Sequence, residues 1–592
     1  SNTTGASNTG LGRDALRSNT TASNNTAVGY LALTANTTAD YNTAVGGNSL
    51  RANTTGHTNS SFGQDAMRFN STGASNVAVG QQALHNNTTA SNNTAMGYRA
   101  SHDNTTGTRN VSMGADAMYQ TTTGNDLVGI GNEALTRNTT GSSNVAIGKE
   151  ALAQNTTASF NTAVGKSALG ANTVGAFNVA IGQAALELDT KGSRSTAIGR
   201  AALASQNFTS ATDAYNTAVG NNAGINVTTG TENTLIGGLA GDAMTTGSYN
   251  TAVGKDSSGK VTTGSHNVSV GRMALRETTT GSNNTALGRS ALESNTTASN
   301  NTAVGYQAML ANTTGDVNAA FGRETLASNT TGQSNTAFGT NALYSNTTGF
   351  DNTAVGYQAG YSNTDSAYNT FLGDHCGYNN TSTKNTYLGH ASGEAMTTGS
   401  RNTILGRYDG NQGGLDMRTA SNHIVLSDGD GNPRMQFNSS GTGKIKTSND
   451  QGLYIFTGDS SSPNGKVLDF HDGAGDQCGY VLINASNNTV SYQTSSDGNK
   501  KTNYRPIANP TDRVKALNPL KFDWISDGST SEGFIAQEVN TDTQLGLDCV
   551  DGEEGSMTMD YSRVTPLLTA ALKEAITKIE QLEARIATLE GA

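Results

Sequence analysis

Between Thr9 and Leu405 the chain alternates polar and apolar residues in short bursts that recur every seventeen residues. Each burst is a variant of Asn-Thr-Ala-Val-Gly, with its glycine at 12, 29, 46, 63, 80, 97, 114, 131, 148, 165, 182 and 199. After a four-residue insertion the beat resumes at 220, runs by seventeens to 373 and closes with 389 and 406, twenty-four copies in all. Counting from the glycine, slot −1 is apolar in every copy (Leu11, Val28, Phe62, Met96, Ile130), and slot −4 is asparagine except at Leu127 and Ser195. With Thr and Ala between them, the segment has the period of a strand with one face on a core, and the slot −1 side chain is expected to point inward. A small residue and Leu or Met at slots +3 and +4, as in Ala15-Leu16, Ala32-Leu33, Ala66-Met67 and Ala151-Leu152, give a second inward contact. The rest, such as Asn36 to Ala39 or Asn138 to Gly141, is turn chemistry, so two short strands and two turns are expected per repeat.

A unit this short cannot bury an apolar face alone, so successive units must stack. The pattern predicts a mainly β protein built as a parallel β-solenoid of seventeen-residue coils, about 115 Å long at the ordinary strand spacing. Asn-Thr-Thr and Asn-Asn-Thr match the N-glycosylation acceptor pattern many times over. Asparagines stacked in one slot can instead hydrogen-bond along the ladder, which explains the column without modification. One coil has little interior, and three chains around an axis would bury the alanine face as well. In these features residues 1–406 resemble the head repeats of YadA-type trimeric adhesins, whose units carry a similar Asn…Ala-Ile-Gly strand in a left-handed parallel β-roll. The resemblance implies a homotrimer.

Composition narrows the class. Only 34% of the 592 residues are apolar and 71 are glycine, so most of the chain lacks a conventional core, yet disorder would not keep phase over twenty-four copies. A net charge of −11 argues against a nucleic-acid partner. Cys376, Cys478 and Cys549 are too far apart to form a disulfide framework or metal cluster and are read as small buried residues. No metal and no cofactor is expected. No apolar run is long enough to insert into a membrane as a helix. The chain opens inside the repeat pattern, which we read as a fragment whose N-terminal attachment region precedes it.

Towards 406 the pattern drifts. Gly360, Gly377 and Gly393 stand where Leu is usual, and Phe371, Tyr387 and Ile404 replace the alanine, which suggests a widening or capping transition. From 407 to 495 the beat stops and irregular β-rich segments (His423 to Leu426, Leu453 to Thr457, Lys466 to Phe470, Tyr480 to Ile483) indicate an intertwined β-domain, the exposed tip. There Asp428-Gly429-Asp430-Gly431-Asn432 opens like a calcium loop, but Pro433 and Ser439 stand where an EF-hand needs Gly and Glu. A hairpin turn is the expected reading.

Beyond Ser491 the chemistry changes. Leu568, Leu572, Ala575, Ile579, Leu582, Ile586 and Leu589 follow 4-3 spacing, the seam of a short trimerising coiled coil at about 565–590. Upstream come Ser496-Asp497-Gly498-Asn499-Lys500-Lys501, Val514 to Pro519 with Phe522-Asp523-Trp524, Gly533-Phe534-Ile535-Ala536-Gln537-Glu538-Val539, and Met559-Asp560-Tyr561-Ser562. This series resembles the intramolecular chaperone and autoprocessing domain at the C-termini of phage endosialidases and tail fibres, and would make 496–592 a small α+β domain. The resemblance implies a Ser-Lys dyad, Ser496 as nucleophile and Lys501 as base, cutting between Ser495 and Ser496; where the family has Arg-Leu before the lysine this chain has Asn499-Lys500. A serine hydroxyl needs a base to become nucleophilic, and a lysine serves as one only with a lowered pKa, which the neighbouring charge of Lys500 favours.

Together these readings imply a homotrimeric host-recognition fibre of a tailed bacteriophage. Its partners would be a cell-surface receptor, glycan or protein, and other tail proteins, and its place the virion. No turnover enzyme is expected beyond single-turnover self-cleavage. A polysaccharide-degrading tailspike would need paired carboxylates, for which Asp469 and Asp472 are the candidates, and a trimeric bacterial surface adhesin would need a membrane anchor or sorting signal.

Overall fold

The computed structural model describes residues 2–445, then the backbone of the strands at Asn464–His471, Gln477–Asn484 and Thr489–Thr494, and residues 503, 505–523, 530–541, 550–551, 558–559 and 561–591, with backbone alone at 540–541, 551 and 558. It divides into two compact units, Ser1–Leu453 and Tyr454–Ala592.

The first unit is a parallel β-solenoid in which each seventeen-residue coil contributes one three-residue strand, as at Thr26–Val28 and Thr43–Val45. Equal slots pair in register, Thr26 with Thr43, Ala27 with Ala44 and Val28 with Val45. The same pairing runs from Thr9–Leu11 to Thr403–Leu405. Backbone hydrogen bonds continue through the turns. The Leu33 N–H donates to the Ser49 carbonyl at 3.1 Å and the Asn48 N–H to the Tyr30 carbonyl at 2.8 Å.

Two expectations are corrected. Slots +1 to +6 form no second strand. They run as turns with left-handed residues at slots +2 and +4, for example Asn48 at φ 59° and Leu50 at φ 50°. The strand also has the opposite phase to the expected one: slot −2 points inward and slot −1 outward. Ala27, Ala44 and Ala78 are fully buried, whereas Leu11, Phe62 and Met96 remain 66%, 42% and 40% exposed. The reason is volume. Leu33, Leu50 and Met67 at slot +4 already fill the lumen, and only a methyl-sized group fits opposite them. The alanine face is therefore buried by its own chain and needs no second copy to cover it.

Volume is also exchanged between slots. Where slot −2 grows to Leu235, Phe371 or Tyr387, slot +4 shrinks to glycine, and a Cβ on Gly377 or Gly393 would lie 2.5 Å from the Phe371 or Tyr387 ring. The drift near 406 is thus compensated packing, with Phe371, Tyr387 and Ile404 all fully buried. Cys376 lies in the same core, where burial pushes its thiol up to about 12. Cys478 and Cys549 have no described side chains.

Asparagine ladders form as expected, and in two slots. At slot −4 the Asn42 N–H donates to Asn25 Oδ1 at 2.8 Å, and Asn25 Nδ2 donates to the Ala39 carbonyl at 3.0 Å. At slot +7 Asn36 Nδ2 donates to both Asn19 Oδ1 and the Ala39 carbonyl at 3.0 Å. Asn36 and Asn138, both within acceptor motifs, are fully buried with their amides so engaged. The slot +7 ladder breaks at Asn104 and Asn172, which precede Thr121 and Asp189, and at Asn363, where Asn380 Nδ2 donates to the Ser382 carbonyl instead; all three Oδ1 atoms are left buried without a partner.

Asp189 sits beside the four-residue insertion. Its Oδ2 accepts from Gln206 Nε2 at 2.7 Å and its Oδ1 from the Gly192 N–H at 2.9 Å, but burial outweighs these bonds and raises its carboxyl above the ordinary range. An acid with a raised folded-state pKa contributes stability that is fully present below its unfolded value, about 3.9, and lost as pH rises through the folded value. The solenoid's urea midpoint should therefore fall over that window, and Asp189→Asn should flatten the slope.

The repeat glycines have φ near +135°, and a Cβ on Gly271 would lie 2.5 Å from the Gly288 carbonyl oxygen of the next coil. Gly47 has ordinary φ and nothing within 4 Å. Gly271→Ala is expected to cost about 1–3 kcal/mol, and Gly47→Ala less than about 0.5 kcal/mol, read as shifts in chemical unfolding.

Candidate functional site

Past Gly406 the sheet outlives the repeat. Ile424–Ser427 adds one more parallel strand in register, Thr403 opposite Ile424, then pairs antiparallel with Pro433–Phe437, which pairs with Gly443–Ile445. The parallel ladder is thereby closed by an antiparallel meander. The segment expected to resemble a calcium loop is the turn between the first two of these strands. Asp428 Oδ1 accepts from the Asn432 N–H at 2.8 Å and Oδ2 from Arg434 Nε at 2.8 Å, and these bonds bring its carboxyl down to about 2. The carboxylate is committed to the guanidinium, and the described residues hold no cluster of three metal-ligating side chains.

A cleft of about 500 Å³ opens beside this meander, with Leu415, Pro433, Met435 and Ile445 as apolar lining and Arg434 and Lys444 as its cations. It falls in the region expected to form the tip. Asp469 lies in the strand Asn464–His471 opposite Tyr480, and Asp472 is outside the described residues, so the paired-carboxylate reading gains no geometry.

In the second unit, three antiparallel strands end at Thr494. Ser495, Ser496 and Lys501 lie outside the described residues, and the geometry of the dyad is not on view. The segments from 510 onward bring the sequence motifs together. Helix α1 (Pro510–Lys515), helix α2 (Ala536–Thr541) and helix α3 (Val564–Glu590) surround a small core of Leu517, Val539 and Val564, with Phe534 and Met559 against it. The Phe534 N–H donates to Tyr561 Oη at 3.2 Å, and their rings lie 5.9 Å apart. Asn518 Nδ2 donates to Glu538 Oε2 at 3.2 Å. The described parts of the stretches 514–519, 533–539, 559 and 561–562 are thus one packed assembly, a contact that spacing along the chain could not reveal.

Helix α3 has two characters. Val564, Leu567 and Ala571 are buried, and Thr511 Oγ1 donates to Glu574 Oε2 at 2.8 Å, holding that carboxyl below its ordinary range. The predicted seam faces out. Leu568, Leu572, Ile579, Leu582, Ile586 and Leu589 are exposed, and Ala575 is half-buried. Ile576, absent from the predicted seam, is exposed on the same helix.

Residues 496–542 match a family model described as the chaperone of endosialidase. The match begins at Ser496 and includes the 533–539 stretch. No curated protein and no solved structure matches the chain.

Because Asp428 is held by backbone and guanidinium donors, Asp428→Asn should speed amide hydrogen exchange over 428–434. Calcium added to the unmodified chain should leave exchange there unchanged; calcium-dependent protection would identify an ion site instead.

Proposed function

We propose that the chain is a homotrimeric attachment fibre of a tailed bacteriophage, assembled by a C-terminal intramolecular chaperone that cuts itself free. The observation that carries this reading is the chaperone-family match starting at Ser496, downstream of a solenoid made of near-identical coils. Such coils have nothing local to set the register of three chains, and a dedicated trimerising end supplies it.

Two uncovered apolar faces support assembly. Slot −1 puts one apolar side chain per coil on the outer face of the sheet, among them Val79, Ile147, Ile236, Leu287 and Leu388. The column is on the order of 1,000 Å² per chain, more than the roughly 800 Å² per partner of a standard interface. The α3 seam is the second face. Exposed apolar columns of this length mark association surfaces.

In the proposed cleavage the Ser496 Oγ attacks the Ser495 carbonyl carbon while Lys501, in its neutral form, takes the hydroxyl proton. The peptide C–N bond breaks, an ester joins Ser495 to Ser496 Oγ, and the Ser496 amine leaves protonated. Water then hydrolyses the ester to a Ser495 carboxylate and a free Ser496 hydroxyl. Release removes the assembly nucleus and makes the fibre kinetically stable.

On a denaturing gel the expressed chain should run as two fragments meeting between Ser495 and Ser496, and Ser496→Ala as one full-length band. Lys501→Met should also abolish cutting. An uncut wild type overturns the dyad. Native mass measurement of the shaft should give three chains, and a monomer overturns the fibre.

A further inference from the structure

A second continuous column runs beside the apolar one, at slot +1 immediately after each repeat glycine. Over twenty-four coils it holds nine Lys or Arg, four Tyr, five Asn or Gln and a single carboxylate, Asp374, in a chain whose net charge is −11. All of these side chains are exposed. Between Lys149 and Glu324 the chain has eleven cations and eleven anions, yet seven of the cations stand in this one slot.

The anions do not cancel the column. Lys149, Lys255 and Arg323 reach the slot +2 carboxylates Glu150, Asp256 and Glu324 at 3.2, 3.7 and 3.0 Å. In the coils of Lys166, Arg200, Arg272 and Arg289 slot +2 is Ser167, Ala201, Met273 and Ser290, and among the described residues these four cations have no carboxylate partner. Arg200 meets only Asn222 Oδ1, at 3.5 Å, and Arg289 lies over the Tyr306 ring at 5.7 Å. Arg272 and Arg289 occupy adjacent coils, about 4.8 Å apart along the axis. Like charges held in file repel one another, and an anionic polymer laid along the file relieves that repulsion.

We infer that slot +1 is a binding track for an extended acidic polysaccharide running parallel to the solenoid axis. Each part of the column suits that polymer. Arginine and lysine take its carboxylates, the Asn and Gln side chains its hydroxyls, and Tyr30, Tyr98, Tyr306 and Tyr357, 39–48% exposed, the apolar faces of its sugar rings. Arg13, Arg99 and Arg289 lie over the Tyr30, Tyr98 and Tyr306 rings at 5.4, 4.7 and 5.7 Å, which sets cations directly beside these aromatic surfaces. A nucleic acid demands a denser cationic surface than a file of nine with four of its members, Arg13, Lys149, Lys255 and Arg323, already paired. A second copy of the chain is no better match, because the slot +2 carboxylates facing Lys149, Lys255 and Arg323 are engaged within their own chain. The inference names the receptor chemistry for the proposed fibre and rests on that reading only for where the glycan is met.

The test is affinity electrophoresis of the full chain through gels containing sodium alginate or polygalacturonate, with dextran as the uncharged control. The acidic gels should retard the protein and dextran should not. Replacing Lys166, Arg200, Arg272 and Arg289 by Gln should weaken retention at least tenfold, whereas Gln at Arg17, Arg137, Lys191 and Lys260, which changes net charge equally, should leave it near wild type. Tyr98→Ala with Tyr306→Ala should weaken retention without changing its dependence on salt. No retention in either acidic gel, equal loss in the two charge-matched variants, or equal retention by duplex DNA overturns the track. The track is a property of each chain, so native mass on the same preparation tests the trimer separately.

Discussion

Every coil depends on a neighbour for its backbone hydrogen bonds, and this dependence organises the first unit. A three-residue strand such as Thr94–Met96 is too short to be stable alone, and the turns after it contain no internal ladder. Apart from short turn bonds within a coil, such as that from the Asn36 N–H to the Leu33 carbonyl, bonds from turn and strand alike go to the coils before and after, so each slot relies on its equivalent in the neighbouring coil. The same dependence explains the glycines. At slot 0 the carbonyl of the next coil passes so close to Cα that no side chain fits, as at Gly148 beneath Gly165. It also sustains left-handed Leu and Met at slot +4, a conformation that such residues avoid when nothing else holds them.

Much of this is legible in the sequence. The period, the Asn ladders and the inward Leu at slot +4 follow from repetition and residue chemistry, and all are found. The phase of the strand is misread because slot −1 carries the larger apolar residue, and size is ordinarily a sign of burial. Here Ala27 is inside and Val28 lies half-buried on the other face, since the interior is already occupied by Leu33. Only the volume balance between slots −2 and +4 resolves the choice, and the exchange of Ala and Leu for Phe371 and Gly377 is the signal in the sequence that records it. In the C-terminal unit the motifs are legible as a series, but their meeting around Val539 and Tyr561 is not, because residues twenty or more apart carry no periodic relation.

The outer face divides its chemistry by slot. Slot −1 is apolar, slot +1 is rich in cations and tyrosines, and slot +2 is mixed, with carboxylates in seven of its twenty-four copies, so different chemistries occupy parallel lines along one axis. A change in one line leaves the others intact, because the backbone that presents them is the same in each coil. The closing meander at Ile424–Ile445 and the small core around Leu517 obey other rules, with antiparallel pairing in one and helix packing in the other.

In-register pairing has a further consequence for the length of the solenoid. The Thr26–Val28 strand meets Thr43–Val45 through the same slots that Thr43–Val45 presents to the coil beyond it. Removing or duplicating one whole coil therefore rejoins surfaces that already fit, whereas the four-residue insertion before Gly220 and the sixteen-residue step from Gly373 to Gly389 have to be taken up in the turns between strands that stay in register. Recombination between its own repeats could lengthen or shorten such a gene in steps of one coil, which makes reach a heritable dimension that can change while both ends of the molecule stay the same.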